Sequence, residues 1–107
     1  VLPGFERPGH RAGHLKLHHL QVVRGTPLSA SYAAEPFPLP SAGEYLDWLC
    51  GLIPWIPAGV VVHRLWSNCR PDLLEHPRWN IESARLHERL SRLLEERGIV
   101  QGEKTVL

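Results

Sequence analysis

Residues 15–26 read LKLHHLQVVRGT, and the fold turns on what this stretch becomes. Its apolar residues are Leu15, Leu17, Leu20, Val22 and Val23, with Lys16, His18, His19 and Gln21 between them. Apolar and polar residues alternate over 15–18, slip phase at His18 and His19, and then resume. That is the pattern of a strand with a bulge, or of one buried on both faces. Arg24, Gly25, Thr26 and Pro27 end it, because proline has no amide hydrogen for a ladder and glycine permits a turn. The expectation is one strand over residues 15–23. A strand this apolar calls for cover on both sides, the habit of parallel strands in α/β proteins.

On the N-terminal side, residues 1–13 (VLPGFERPGHRAG) are broken by Pro3, Pro8 and three glycines and read as loop. On the other side, residues 26–40 carry four prolines; residues 28–35 suit a short helix started by Pro27, with extended chain from Pro36. Ser41-Ala42-Gly43-Glu44 is a capping box, in which the hydroxyl and the carboxylate satisfy free amides at a helix start. That helix is expected to run to about Ile53 and to bury Tyr45, Leu46, Trp48, Leu49 and Leu52 before Pro54 and Pro57 end it. Residues 60–66, VVVHRLW, read as a second buried strand. Residues 67–76 read as loop, with one helical turn beginning at Pro71. Asn80 then caps a last helix over residues 81–97, whose inner face is Leu86, Leu90, Leu93 and Leu94 with Trp79 in phase before it. Glu88 four residues ahead of Arg92 marks the outer face, and Gly98 the end. Residues 99–107 give no signal.

Strand, helix, strand, helix implies an α/β fold with parallel strands joined by crossovers. Two strands make no sheet that stands alone, so more are expected from a missing N-terminal barrel segment or from another protein. The 107 residues suffice for one domain, and 43% hydrophobic content is globular. With a net charge of +1 and no basic run, the electrostatic footprint of a nucleic-acid binder is missing. Cys50 and Cys69 are too few for a disulfide-rich scaffold and no signal peptide pattern opens the chain, so a cytoplasmic setting is expected. The apolar stretches over residues 48–56 and 60–62 are too short to span a bilayer. Val1 at the start and the lack of methionine read as a fragment, a processed product or an edited sequence.

Several short pieces fall in one order: Leu2-Pro3-Gly4, Lys16-Leu17-His18 with Gly25-Thr26, Glu44-Tyr45, residues 60–65, Asp72-Leu73-Leu74 with Pro77 and Trp79, and Arg97 with Gln101-Gly102. This ordered set resembles roughly the last third of a bacterial branch of the radical S-adenosylmethionine (SAM) superfamily, relatives of the oxygen-independent coproporphyrinogen oxidases and of the elongator catalytic subunit. The resemblance implies the last strand-helix units of a partial (β/α) barrel with a C-terminal helix. Residues 1–14 would be a loop left from a preceding unit, and residues 15–107 the barrel segment and its extension. It also implies a parent enzyme that uses SAM and a [4Fe-4S] cluster on an unidentified substrate. On such barrels the working face lies at the C-terminal ends of the strands. Residues 21–26 and 63–68 are then closest to the chemistry, and Gln21, Gly25, Thr26, His63 and Arg64 are the candidate cofactor-binding residues.

The chain departs from that family at two places. The family would place a full helix between Gly4 and Leu15, where only ten residues intervene. Its three-cysteine motif, Cys-x3-Cys-x2-Cys, is absent, and the cluster needs three thiolates with an iron left open for SAM. Two cysteines cannot supply three thiolates. The chain alone is therefore expected to bind neither cofactor and to be inactive.

Other constellations give less. His10, His14 and His18 recur every four residues with His19 adjacent, which on a helix would suit a metal, but Gly9, Gly13 and the strand-like LKLHHL oppose a helix. Solvated or paired histidines fit better. A zinc site from Cys50, Cys69 and His63 lacks the close ligand pairs of structural zinc, and buried free thiols are favoured. Nucleophilic catalysis has no motif to support it. Glu82, Glu88, Glu95 and Glu96 sit among arginines and read as an ion-paired, solvated helix face. Trp48, Trp55, Trp66 and Trp79 read as core, with an association-prone patch where missing parts would have covered them. Besides the enzyme portion, two alternatives stand: a small non-catalytic α/β protein-interaction module, and a reading frame with no selected function.

Overall fold

Side-chain caps set where the first two helices begin. In the computed structural model, which describes residues 13–104, Thr26 Oγ1 accepts the Ser29 N–H at 3.2 Å and Pro27 takes the first position of α1, Pro27–Ala34. The expected capping box is present. Ser41 Oγ accepts from the Glu44 amide at 3.2 Å, and the Ser41 amide donates to Glu44 Oε1 at 2.9 Å. These bonds hold the Glu44 carboxyl below its usual value. They start α2, Ala42–Leu52, and losing such a cap costs about 0.5–2 kcal/mol. Pro54 converts its end into a 3-10 turn, Ile53–Trp55. The last helix, α3, is Ser83–Arg97 and stops at Gly98, whose φ of 63° is the left-handed C-terminal cap. Asn80 does not cap it: at φ 55° Asn80 lies in the irregular connection between β4 and α3, and Glu82 occupies the cap position without a side-chain bond.

The four strands among the described residues are short: β1, His14–Lys16; β2, Val22–Val23; β3, Val61–Arg64; β4, Leu74–His76. β1 and β3 are parallel, with His14 beside Val61 and Leu15 beside Val62, and the register slips between Leu15 and Lys16. The α/β class and the parallel crossover pair thus follow the sequence. The single strand over 15–23 does not, because after the Leu17 amide bonds the Arg64 carbonyl at 2.7 Å the chain leaves the ladder and pairs again only as β2. There its partner is β4, antiparallel, in the stretch expected to be loop and helical turn. Expectations for residues 1–12, including Leu2-Pro3-Gly4 and His10, and for residues 105–107 lie outside the described residues.

The core is built on α2 and α3. Tyr45, Leu46, Leu49 and Cys50 from α2 meet Leu86 and Leu90 from α3, and Ile53, Ile56, Val60 and Trp66 close it. Leu15, Leu17 and Val62 pack against this cluster, so the helices cover one face of the parallel pair. The opposite face, with His14, Lys16, Val61 and His63, is exposed. Cover on both faces is therefore corrected for the described residues: only the alternate residues facing α2 and α3 are covered, and those are half-buried. The tryptophans divide likewise. Trp66 is core and Trp79 half-buried, but Trp48 is 54% exposed, one position off the buried Leu49 face, and Trp55 is 38% exposed beneath Lys104. Glu88 pairs with Arg92 at 3.5 Å on the solvated face of α3, as its spacing requires. Among the described residues, no helix is long and apolar enough to cross a membrane.

Candidate functional site

Parallel strands release their chains at the same end, and here both exits open into one cleft. His19 and Gln21 follow β1, and Trp66, Ser67, Asn68 and Cys69 follow β3. With residues from the 71–81 connection they line a half-open cleft of about 200 Å³.

His19 is its anchor. The Ser67 N–H donates to His19 Nδ1 at 3.1 Å, and Ser67 Oγ donates to the His19 carbonyl at 2.7 Å, so the two strand exits are clamped side chain to backbone. An accepting Nδ1 carries no proton, so the neutral ring holds its single proton on Nε2. The residue as a whole is buried, 8% exposed. The ring stacks on Trp79 with centroids 4.2 Å apart and 20° between planes, and Tyr45 tilts against it at 5.4 Å. Burial pushes the His19 pKa down, with a smaller push from neighbouring His18.

The surroundings are fixed by hydrogen bonds. Trp79 Nε1 donates to the Pro40 carbonyl at 3.1 Å, and Trp66 Nε1 donates to Ser83 Oγ at 3.1 Å, tying the cleft to the start of α3. Tyr45 donates its hydroxyl to the Leu65 carbonyl at 2.5 Å, and burial pushes its pKa up to about 12. The cleft thus offers an aromatic wall, one neutral imidazole, the amides of Gln21, Asn68 and Asn80, and the exposed Arg78. Such a site can hold and orient a planar or polar group.

Of the residues singled out in the sequence, Gln21 lines this cleft and Gly25, Thr26, His63 and Arg64 do not. Gly25, at φ 82°, makes the turn after β2, and Thr26 Oγ1 both caps α1 and donates to the Val23 carbonyl at 2.6 Å. His63 meets His14 across the parallel pair, and Arg64 offers its carbonyl to the Leu17 amide. Sequence reasoning missed the pairing of His19 with Ser67. The phase slip at His18 and His19 marks where the chain leaves the ladder, but nothing in it names a partner 48 residues away.

Residues 13–96 match the family described as the Radical_SAM C-terminal domain. The chain belongs to that family. Among the curated proteins it is similar to the uncharacterized protein YtqA of Bacillus subtilis, 27% identical over 89 residues, which are 83% of this chain and 28% of that protein. It is also similar to the uncharacterized protein MJ0486 of Methanocaldococcus jannaschii, 24% identical over 91 residues, 84% of this chain and 28% of that one. The chain therefore matches little more than a quarter of the length of these relatives.

Radical SAM chemistry implies a [4Fe-4S] cluster and SAM in the parent proteins. The residues of this chain do not fit the cluster. Cys50 is sealed in the core, where burial pushes its thiol pKa up, and Cys69 lies at the cleft; no third cysteine exists. Among the described residues, no three His, Cys, Asp or Glu side chains gather to hold a metal. At about 200 Å³ the cleft is also below the roughly 300–1,000 Å³ of pockets that enclose a drug-sized ligand.

Proposed function

We propose that this chain is the C-terminal portion of a radical SAM iron-sulfur enzyme of unidentified substrate, kin to the oxygen-independent coproporphyrinogen oxidases and the elongator catalytic subunit. It forms the last part of a partial (β/α) barrel wall, residues 15–107, with residues 1–14 left from a preceding unit. It is catalytic only beside a segment that brings the three-cysteine motif, and its setting is cytoplasmic. The missing barrel segment, or another protein, is its partner.

The observation that carries this reading is the cleft where β1 and β3 both end. A parallel pair covered by helices on one face is the repeating unit of a (β/α) barrel, and in that fold ligands sit at the C-terminal strand ends. The half-open, undersized cleft suits a shared site in which this chain holds part of a ligand and the rest is covered from elsewhere. In this assignment Gln21 reaches the ligand from the cleft, Gly25 and Thr26 shape the loop behind it, and His63 and Arg64 stand on β3 at the edge of the barrel interior. The chain's own work is binding, orientation and exclusion of water.

Anaerobic iron-sulfur reconstitution tests it, comparing this chain with the longest product its locus encodes, scored by iron content and SAM cleavage. The expected result is four irons and cleavage in the longer product and neither here. A longer product that stays iron-free, or a locus encoding nothing longer while this chain folds without iron, overturns the enzyme reading in favour of an interaction module.

A further inference from the structure

On the exposed face of the parallel pair, away from the cleft, two metal-ligating atoms converge. His14 leads β1 and His63 lies in β3, 49 residues on; the parallel register brings them together. His14 Nδ1 and His63 Nε2 are 2.5 Å apart, with the rings stacked at 4.6 Å between centroids and 27° between planes. Two imidazole nitrogens this close cannot both present a proton or both present a bare lone pair. One of them therefore carries a proton that it donates to the lone pair of the other.

We propose that the His14–His63 pair is a binding site for a first-row divalent cation of the zinc type, which takes the place of that proton. Neutral imidazole is a preferred ligand of such ions. Zn–N bonds of about 2.0–2.1 Å in tetrahedral geometry set two ligand nitrogens roughly 3.3 Å apart, so the rings need open by less than about 1 Å. Both side chains are exposed, which leaves room for that movement and for water to fill the remaining positions. Placement on two strands of one ladder fixes the spacing before the metal arrives. With two protein ligands the site is an open one. Lys16 shares this face two residues along β1 and adds positive charge, which keeps the affinity modest. Neither histidine lines the cleft, and the site requires no iron-sulfur cluster.

The test is titration of the 107-residue chain with ZnCl2, followed by calorimetry and by the ring nitrogen signals of its histidines in NMR. One zinc per chain is expected, with the His14 and His63 ring signals moving first. Removing even an indirect supporter of a metal ligand costs about 10–100-fold in affinity, so His14→Ala and His63→Ala should each weaken binding at least about tenfold. His76→Ala, on β4, should leave it unchanged. Zinc binding that survives both substitutions, or wild-type titration in which other histidines move first, overturns the assignment. The wild-type signals decide the question even where a variant fails to fold.

Discussion

Ser67 holds His19 at two points, donating its amide to the ring at 3.1 Å and its hydroxyl to the backbone carbonyl at 2.7 Å. The two strand exits that form the cleft are joined here by a side chain rather than by a ladder. A neutral hydrogen bond of this kind contributes about 1 kcal/mol net, and an acceptor left without its donor costs about 1–3 kcal/mol. Ser67→Ala should therefore lower stability by about 1–2 kcal/mol, read as a lower urea midpoint at unchanged slope. The amide bond to Nδ1 survives the change, so the His19 ring should keep its Nε2–H tautomer in nitrogen NMR. Loss of that tautomer in the variant would show that the hydroxyl, and not the amide, sets it.

The same histidine gives a pH dependence with a definite sign. Its folded pKa lies below the ordinary 6.5, mainly through burial. Between the two values the unfolded chain binds the proton and the folded one does not, so stability rises with pH there. The contribution is fully present above about pH 6.5 and is lost as pH falls through the folded value. Urea midpoints taken from pH 8 down to pH 5 should fall more steeply for the native sequence than for His19→Gln. Parallel curves for the two proteins would mean that His19 titrates alike in both states.

Neighbouring positions on α2 should respond unequally to substitution. Leu49 has no exposed surface, and truncating such a leucine costs about 2–5 kcal/mol. Trp48, 54% exposed, keeps a stacking contact with Tyr45 at 5.7 Å, a kind of pair worth about 0.5–1.5 kcal/mol. Leu49→Ala should unfold a large fraction of the chain, whereas Trp48→Gln should cost about 1 kcal/mol and reduce self-association in sedimentation. Equal losses at the two sites would place the buried face of α2 wrongly.

The helices were legible because their signals are local. Ser41 with Glu44, Pro27 after Thr26, and Gly98 each act within one turn, and the leucines of α3 repeat at its own period. The parallel pair followed from element order. What escaped depends on distant partners: the alternation over residues 15–23 is equally that of a chain which leaves the ladder at Leu17, and only β4, about 50 residues on, makes Val22 and Val23 a strand. The strand-end rule of parallel folds singles out residues 21–26 and 63–68, but no residue type there announces that the Ser67 amide and hydroxyl both bond His19. Asn80 suited a cap by its chemistry but sits at φ 55°, a conformation that asparagine tolerates better than most residues.

Residues 99–104, which carry no helix or strand pattern in the sequence, are docked by contacts that permit one more test. Gln101 Nε2 donates to the Pro57 carbonyl at 3.0 Å and to the Val60 carbonyl at 2.7 Å, and the Lys104 amide donates to the Pro54 carbonyl at 2.9 Å. Gly102 makes the approach possible: at φ 81° it lies so close to the chain that a Cβ would stand 2.7 Å from the Ala58 nitrogen and 3.0 Å from its Cβ. Backbone cannot yield as a flexible side chain does, and the left-handed conformation adds strain. Gly102→Ala should therefore cost about 1–3 kcal/mol. Gln101→Ala should cost about 1–3 kcal/mol through the carbonyls it leaves unmet. Because the two residues hold one segment, the double variant should lose less than the sum of the singles. Urea unfolding of the three variants checks this. Full additivity would show that the two contacts act separately, and an unchanged midpoint in Gly102→Ala would mean that the segment does not lie against Ala58.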